Sequence, residues 1–334
     1  MEKYEEPQIY IVNNREITER LSQNYIVATG DLGVAKTVEY EEYVNKRYVD
    51  LEYSMISNLH EYSVVIIDLQ NENDTRHCLE DDEPDGIPYL FELSFPQKEF
   101  RPSPLVLRIM KDKLKTKVLK IIFAGSSYSE KYNIIEVLKQ NQYSYLSEEV
   151  HNIYETIQAS ATSKFGKKII SDNSNLANLI AKYVKGYNVI FELPTKWDRT
   201  SQKSIADPNF LPLLKNQDGE VVSYIGYSEN SGYELLLPFC EKKDELIERL
   251  VTSVLPEILP EFFPESKEFE WIKEQDFLPK EILELEKERT LIQEQYNSKI
   301  KSLNERRNTI DQKYKFLNDL LIETGDKLVQ AVCT

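Results

Sequence analysis

The chain has 334 residues, with 57 acidic against 41 basic side chains and a formal net charge of -16 at pH 7. That charge repels polyanions at long range and argues against non-specific nucleic-acid binding by the surface as a whole. Apolar residues make up 41% and aromatics 11%, enough to offset the entropy of ordering a core and to exclude disorder as the default state.

No apolar run reaches the roughly 18 residues of a membrane span, and residues 1–7 are charged, without the apolar centre of a signal peptide. A cytoplasmic protein with no membrane contact is expected. Cys78, Cys240 and Cys333 are odd in number and far apart, which suits ordinary thiols better than a disulfide framework or a zinc site. The length suggests an N-terminal α/β domain over 1–160 and a second α/β unit with an antiparallel meander over 161–264. A connector and long charged helix over 265–334 complete the chain.

In chain order, residues 25–29 form a short β-prone run. Tyr40, Val44, Tyr48, Leu51, Met55 and Leu59, three or four apart, then predict a helix over about 38–60. The run Val64-Val65-Ile66-Ile67-Asp68-Leu69 is the strongest strand, its β-branched residues suited to burial on both faces. Residues 70–86 are dense in acids and predict a solvated excursion. A helix over 104–117 leads to a buried strand over 118–124, ended by Gly125-Ser126-Ser127.

The second half restarts with strands over 168–171 and 188–193 around a helix over 176–184 that Ser174 can cap. Asp218-Gly219 and Asn230-Ser231-Gly232 are turn signals, so residues 213–239 read as an antiparallel meander. A helix from 241 to 255 is followed by Pro256, Pro260 and Pro264 among Phe262, Phe263, Phe269 and Trp271, a connector docked by its aromatics.

Residues 280–323 lack glycine and proline and predict one long helix. Ile282, Tyr296, Leu303, Ile310 and Leu317 fall at seven-residue spacing, interrupted by Arg289. The companion series from Leu285 and Ile292 turns polar at Lys299, Arg306 and Lys313. The surviving apolar stripe predicts pairing with a partner chain, as in a homodimer, or with the chain's own body. The basic residues there, from Lys299 to Lys315, are interleaved with acids and read as a solvated face.

Three motifs bear on chemistry. Gly30-Asp31-Leu32-Gly33-Val34-Ala35-Lys36-Thr37 matches the phosphate-binding pattern G-x-x-x-x-G-K-[ST] except at Ala35, where a Cβ crowds a loop whose amides must wrap a phosphate. Gly30, Gly33, Lys36, Thr37 and Asp68, the last as magnesium-side acid, are the candidate nucleotide-binding residues. The alternative is an ordinary turn. Gly125-Ser126-Ser127-Tyr128-Ser129 follows a strand as a nucleophile elbow does, but only His151 lies downstream as a base, with no acid placed to orient it. His77-Cys78 beside the acidic run mixes donor types that suit no common ion. No catalytic residue, metal site or obligatory cofactor is assigned, and a nucleotide is the one ligand entertained.

Two resemblances add context. The segment Phe316-Leu317-Asn318-Asp319-Leu320-Leu321-Ile322-Glu323-Thr324-Gly325, followed by Leu328-Val329-Gln330-Ala331-Val332, resembles the lead-in helix of restriction-endonuclease-like domains in bacterial multidomain proteins. There a D…ExK metal-binding core follows; here the sequence stops at Thr334, so the resemblance implies a truncated chain or a relative without the nuclease. Asn216-Gln217-Asp218-Gly219-Glu220-Val221-Val222 with Gly232-Tyr233-Glu234-Leu235-Leu236-Leu237-Pro238 resembles the closing hairpin of amidotransferase-like α/β domains that have lost their catalytic residues.

The expected fold is therefore α/β, a Rossmann-like or amidotransferase-like layered sheet with a long coiled-coil-like C-terminal helix. The expected function is a non-catalytic sensor or scaffold of a bacterial system, in the manner of anti-phage defence. It would bind a ligand or partner and couple it to an effector such as a nuclease. A variant senses cyclic oligonucleotides and predicts a basic pocket at the carboxyl ends of the strands. The alternative is a degenerate P-loop-like nucleotide-binding or hydrolysing protein.

Overall fold

The computed structural model describes residues 4–38, 47–70, 77–78, 89–93, 100–115, 117–138, 142–198 and 202–264, together with 299, 302, 303 and 306. Residues 1–268 form one compact unit and residues 269–334 another.

The first unit is built mainly from strands. In chain order they are β1 (Tyr4–Val12), β2 (Tyr25–Gly30), β3 (Val34–Val38), β4 (Arg47–Glu52), β5 (Val64–Asp68), β6 (His77–Cys78) and β7 (Tyr89–Leu93). There follow β8 (Leu119–Phe123), β9 (Ser129–Leu138), β10 (Gln142–Asn152), β11 (Ser160–Gly166), β12 (Ile169–Ser171) and β13 (Val184–Glu192). The set closes with β14 (Thr195–Asp198), β15 (Lys203–Ala206), β16 (Phe210–Asn216), β17 (Val221–Ser228), β18 (Gly232–Leu237) and β19 (Phe239–Cys240). The α-helices are short: α1 (Arg15–Leu21), α2 (Ser103–Lys113), α3 (Asn175–Ala181), α4 (Lys243–Arg249) and α5 (Leu255–Ile258), with a π-helical turn, Leu250–Val254, joining the last two.

Side chains specify several of these starts. Asn14 caps α1 by accepting from the Ile17 amide at 2.9 Å, and Ser174 caps α3 by accepting from Ala177 at 3.2 Å. Pro102 and Pro104 fit the first turn of α2, where an absent N–H costs nothing.

An 11-stranded sheet runs in the order β11-β13-β17-β18-β8-β5-β1-β2, with β12, β16 and β19 attached beside this path. From β18 to β2 the neighbours are parallel, whereas β11, β13, β17 and β18 pair antiparallel. This one sheet joins strands from both sides of residue 160. Alternate residues of its parallel strands serve opposite faces. Ile9, Ile11, Val64, Ile66, Leu119 and Ile121 pack with residues of α1, α3 and α4 on one side. Tyr10, Val12, Val65, Ile67 and Ile122 pack with α2 on the other. Phe262 and Phe263 complete the first of these cores. A six-stranded sheet, β10-β9-β7-β4-β3-β6, and the separate hairpin β14-β15 make up the rest.

This architecture corrects the expected α/β, Rossmann-like or amidotransferase-like layered fold: strands dominate, and the longest α-helix among the described residues, α2, has 11 residues. The helix expected over 38–60 is corrected with it, since β3 and β4 pair antiparallel there, Lys36 opposite Asp50. Tyr48 and Val49 show why. Adjacent in sequence, both are buried, in two different apolar clusters, which requires the two-residue period of a strand. Aromatic and β-branched residues at three- and four-residue spacing satisfy both periods, and burial on two faces selects the strand.

The long coiled-coil-like C-terminal helix is likewise not found among the described residues. Lys299, Ser302, Leu303 and Arg306 are helical, and Leu303 is 52% exposed. Ile282, Leu285, Ile292, Tyr296, Ile310 and Leu317 lie outside the described residues, as do Phe269, Trp271 and nearly all of the acidic excursion over 70–86. No helix among the described residues is long and apolar enough to cross a membrane.

Candidate functional site

Parallel strands end together, and their carboxyl ends supply loops that open outward where successive connections leave in opposite directions. Here the chain passes from β1 through α1 to β2 on one side and returns to β5 on the other, so the reversal falls between β1 and β5. A cavity of about 490 Å³ opens beside it, over the ends of β1 and β2. That size lies within the roughly 300–1,000 Å³ of small-molecule sites.

Its floor is two loops tied together. Asn13 adopts a left-handed φ of 61°, one of the few side chains that tolerates it, and its amide donates to the Gly30 carbonyl at 3.1 Å. The Asn13 side-chain oxygen accepts from the Leu32 amide at 3.2 Å. Asp31, directly after β2, is locked from both ends. Its amide donates to the Ser54 carbonyl at 3.1 Å, while its Oδ1 accepts from Gly33 at 2.9 Å and Ser54 at 3.1 Å. Thr18, Thr29 and Ser103 add hydroxyls to the wall. Arg15 stands at the rim, its guanidinium 2.8 Å from Glu19.

Gly30 and Gly33 both line this cavity, but for steric reasons. A Cβ on Gly30 would lie 1.8 Å from the Tyr10 hydroxyl, and Gly33 takes a φ of 91° to turn into β3. Lys36 and Thr37 lie within β3, so the phosphate-type motif is a strand–turn–strand rather than a loop opening a helix. The Lys36 ammonium pairs with Glu52 at 2.6 Å.

Asp68 does not line this cavity but lies behind it, bonded to Asn14 of the lining. Fully buried at the end of β5, it accepts from Lys243 of α4 at 2.8 Å through each oxygen, from Asn14 at 2.6 Å and from the Gln70 amide at 3.0 Å. Asn14 thus caps α1 with its oxygen and holds Asp68 with its nitrogen.

The serine turn is structural as well. Ser127 Oγ donates to the Ala161 carbonyl at 2.9 Å, and its amide donates to Ser163 Oγ at 2.8 Å, fastening the loop to β11. His151 Nε2 lies 2.8 Å from Glu149 instead. Burial pushes the Cys240 thiol up to about 12, so it is a poor nucleophile. His77 and Cys78 form β6 beside β3.

Sequence reasoning missed Asn13, Asn14, Arg15, Thr18 and Asp31. One signal was available: the apolar run Ile9-Tyr10-Ile11-Val12 followed by Asn13-Asn14 reads as a buried strand running into a helix cap. Another cavity, of about 410 Å³, opens at the opposite, amino ends of the parallel strands, between Gln8, Lys115, Lys117 and Tyr233. No family model matches the chain, and no curated protein matches it.

Proposed function

We propose that this protein is a non-catalytic binding module that takes a small polar ligand in the crevice over β1 and β2. The observation that carries this reading is the pre-set floor of that crevice, in which the Asn13 and Asp31 side chains are fixed by backbone amides before any ligand arrives. Groups held in advance cost little entropy to order on binding, whereas a loose loop would spend that free energy on each encounter. The charged side chains of the lining are Arg15, already paired with Glu19, and Asp31. A net negative lining disfavours polyphosphates, so the cyclic-oligonucleotide variant, which needs a basic pocket, is not favoured.

In this reading the protein works in the cytoplasm, and ligand occupancy is passed to an effector or partner engaged by the unit over 269–334. The resemblance of residues 316–332 to a segment that precedes endonuclease-like domains supports a nuclease as that effector and a bacterial defence setting.

The test is a thermal-shift screen of the full chain against neutral and charged polar metabolites, repeated with Thr18→Trp, which fills the cavity. A ligand that stabilises the wild type and not the variant is the expected result. Stabilisation that persists in Thr18→Trp, or no response to any compound, would sink the reading.

A further inference from the structure

Asp31 offers more than a wall. Its Oδ1 is satisfied twice by backbone amides, and its own amide is bonded to Ser54, so the carboxylate plane is fixed. Oδ2 has no hydrogen-bond partner among the described residues. A fixed carboxylate oxygen at a cavity wall accepts and cannot donate. Its natural partners are hydroxyl or N–H groups of a ligand.

The position narrows this further. In parallel β–α–β units that bind nucleosides, an acid at the end of the second strand accepts from ribose hydroxyls, while glycines in the first turn let phosphates approach the backbone. Asp31 stands at the end of the second strand, β2. The first turn, Asn13-Asn14-Arg15, has no glycine, and the Asn13 side chain already occupies that space by bonding Leu32. The hydroxyl-recognising half of such a site is present, then, and the phosphate-recognising half is not. The paired Arg15 and Glu19 leave no net positive charge at the rim to replace it.

We infer that the crevice recognises a neutral vicinal diol, as carried by the ribose of a nucleoside or by a free sugar, with Asp31 Oδ2 accepting from a diol hydroxyl. This rests on the binding reading above and names its ligand class.

Saturation-transfer NMR on the full chain, with adenosine, 2′-deoxyadenosine, D-ribose and ATP as probes, tests it alongside Asp31→Asn. The variant keeps an oxygen for the Gly33 and Ser54 amides and places an NH₂ where Oδ2 was, so the fold is retained while the acceptor becomes a donor. Adenosine is expected to bind at least tenfold more tightly than 2′-deoxyadenosine and to lose at least tenfold in Asp31→Asn, with an unchanged melting temperature. Ribose binding as well as adenosine does would support the diol and identify its source as a free sugar.

Equal binding of adenosine and its deoxy form, wild-type affinity in Asp31→Asn, or tighter binding of ATP than of adenosine would overturn the inference. So would failure of every diol to bind while another metabolite is lost in Thr18→Trp, an outcome that leaves the binding reading standing. Should no compound bind at all, both fall together. If Asp31→Asn melts at a lower temperature, the wild type decides alone: at least tenfold tighter binding of adenosine than of 2′-deoxyadenosine supports the inference, and equal binding of the two overturns it.

Discussion

The Lys243 ammonium at the start of α4 reaches both carboxylate oxygens of Asp68 at 2.8 Å, tying the end of β5 to a helix far along the chain. Asp68 is fully buried, and the ammonium also lies 5.3 Å from the centre of the Phe123 ring. Two desolvated charges stabilise the fold little in total, but removing one strands the other, at a cost of about 3–5 kcal/mol. Asp68→Asn is therefore expected to lower the unfolding free energy in urea by about 3 kcal/mol. The double variant Asp68→Asn/Lys243→Met should cost less than the sum of the singles; strict additivity would show that the two residues act separately.

A second buried pair sets a pH dependence. Lys120 of β8 lies 3.6 Å from Glu234 of β18, and both side chains are almost wholly buried. Lys120 also donates to the Thr156 carbonyl at 2.5 Å, while Glu234 accepts from the Tyr224 hydroxyl at 2.8 Å and from the Gln158 amide. Burial raises the Glu234 carboxyl above its ordinary 4.5 and lowers the Lys120 ammonium below 10.5. Glu234 thus contributes stability fully below pH 4.5 and loses it as pH rises through its raised folded value. Lys120 contributes fully above pH 10.5 and loses it as pH falls through its lowered value. From pH 4.5 upward through the raised value, the melting temperature of the wild type should fall relative to Glu234→Gln. Parallel profiles for the two proteins would refute the assignment.

Gly30 is required by its neighbours. A Cβ there meets the Tyr10 hydroxyl at 1.8 Å and the Ser54 carbonyl at 2.6 Å, the second of which is backbone and cannot swing aside. Burial pushes that tyrosine up to about 12, in keeping with a hydroxyl held inside the fold. Gly30→Ala is expected to destabilise by about 1–3 kcal/mol, as overpacking does, measured by the shift of the urea midpoint. A neutral result would mean that the end of β2 relaxes more freely than its contacts imply.

Lys36→Ala separates the phosphate-motif reading from the strand reading. As a half-buried strand residue paired with a mostly exposed Glu52, Lys36 should contribute within about 1 kcal/mol, and the variant should fold and bind as the wild type does. Loss of nucleotide binding on this substitution, with the fold intact, would restore the P-loop alternative.

What the sequence disclosed depended on how many faces an element buries. The run from Val64 to Asp68 was legible because all five residues are buried and their β-branching leaves little choice of backbone. Asp218-Gly219 was legible because Gly219, at φ 82°, is demanded by the turn itself. Residues 47–52 were not, because their spacing also fits a helix and only the partner strand resolves the ambiguity. Asp31 falls within the phosphate-type motif, at a position where that pattern accepts any residue, so the motif gave it no role. Its role depends on Ser54, more than twenty positions on, and no local pattern announces that pairing.

The sheet order also has a consequence for the chain as it is made. β8 completes its hydrogen bonding only when β18 arrives, with Tyr233 pairing to Leu119, and the four parallel strands before it present an unfilled apolar edge until then. Long-range parallel pairing is slow to form, and an open edge invites pairing with the wrong chain. During synthesis the first half must therefore wait on the ribosome, partly assembled, for a strand on the order of a hundred residues away. A fragment ending near residue 160 would keep that edge permanently and would be expected to aggregate rather than fold.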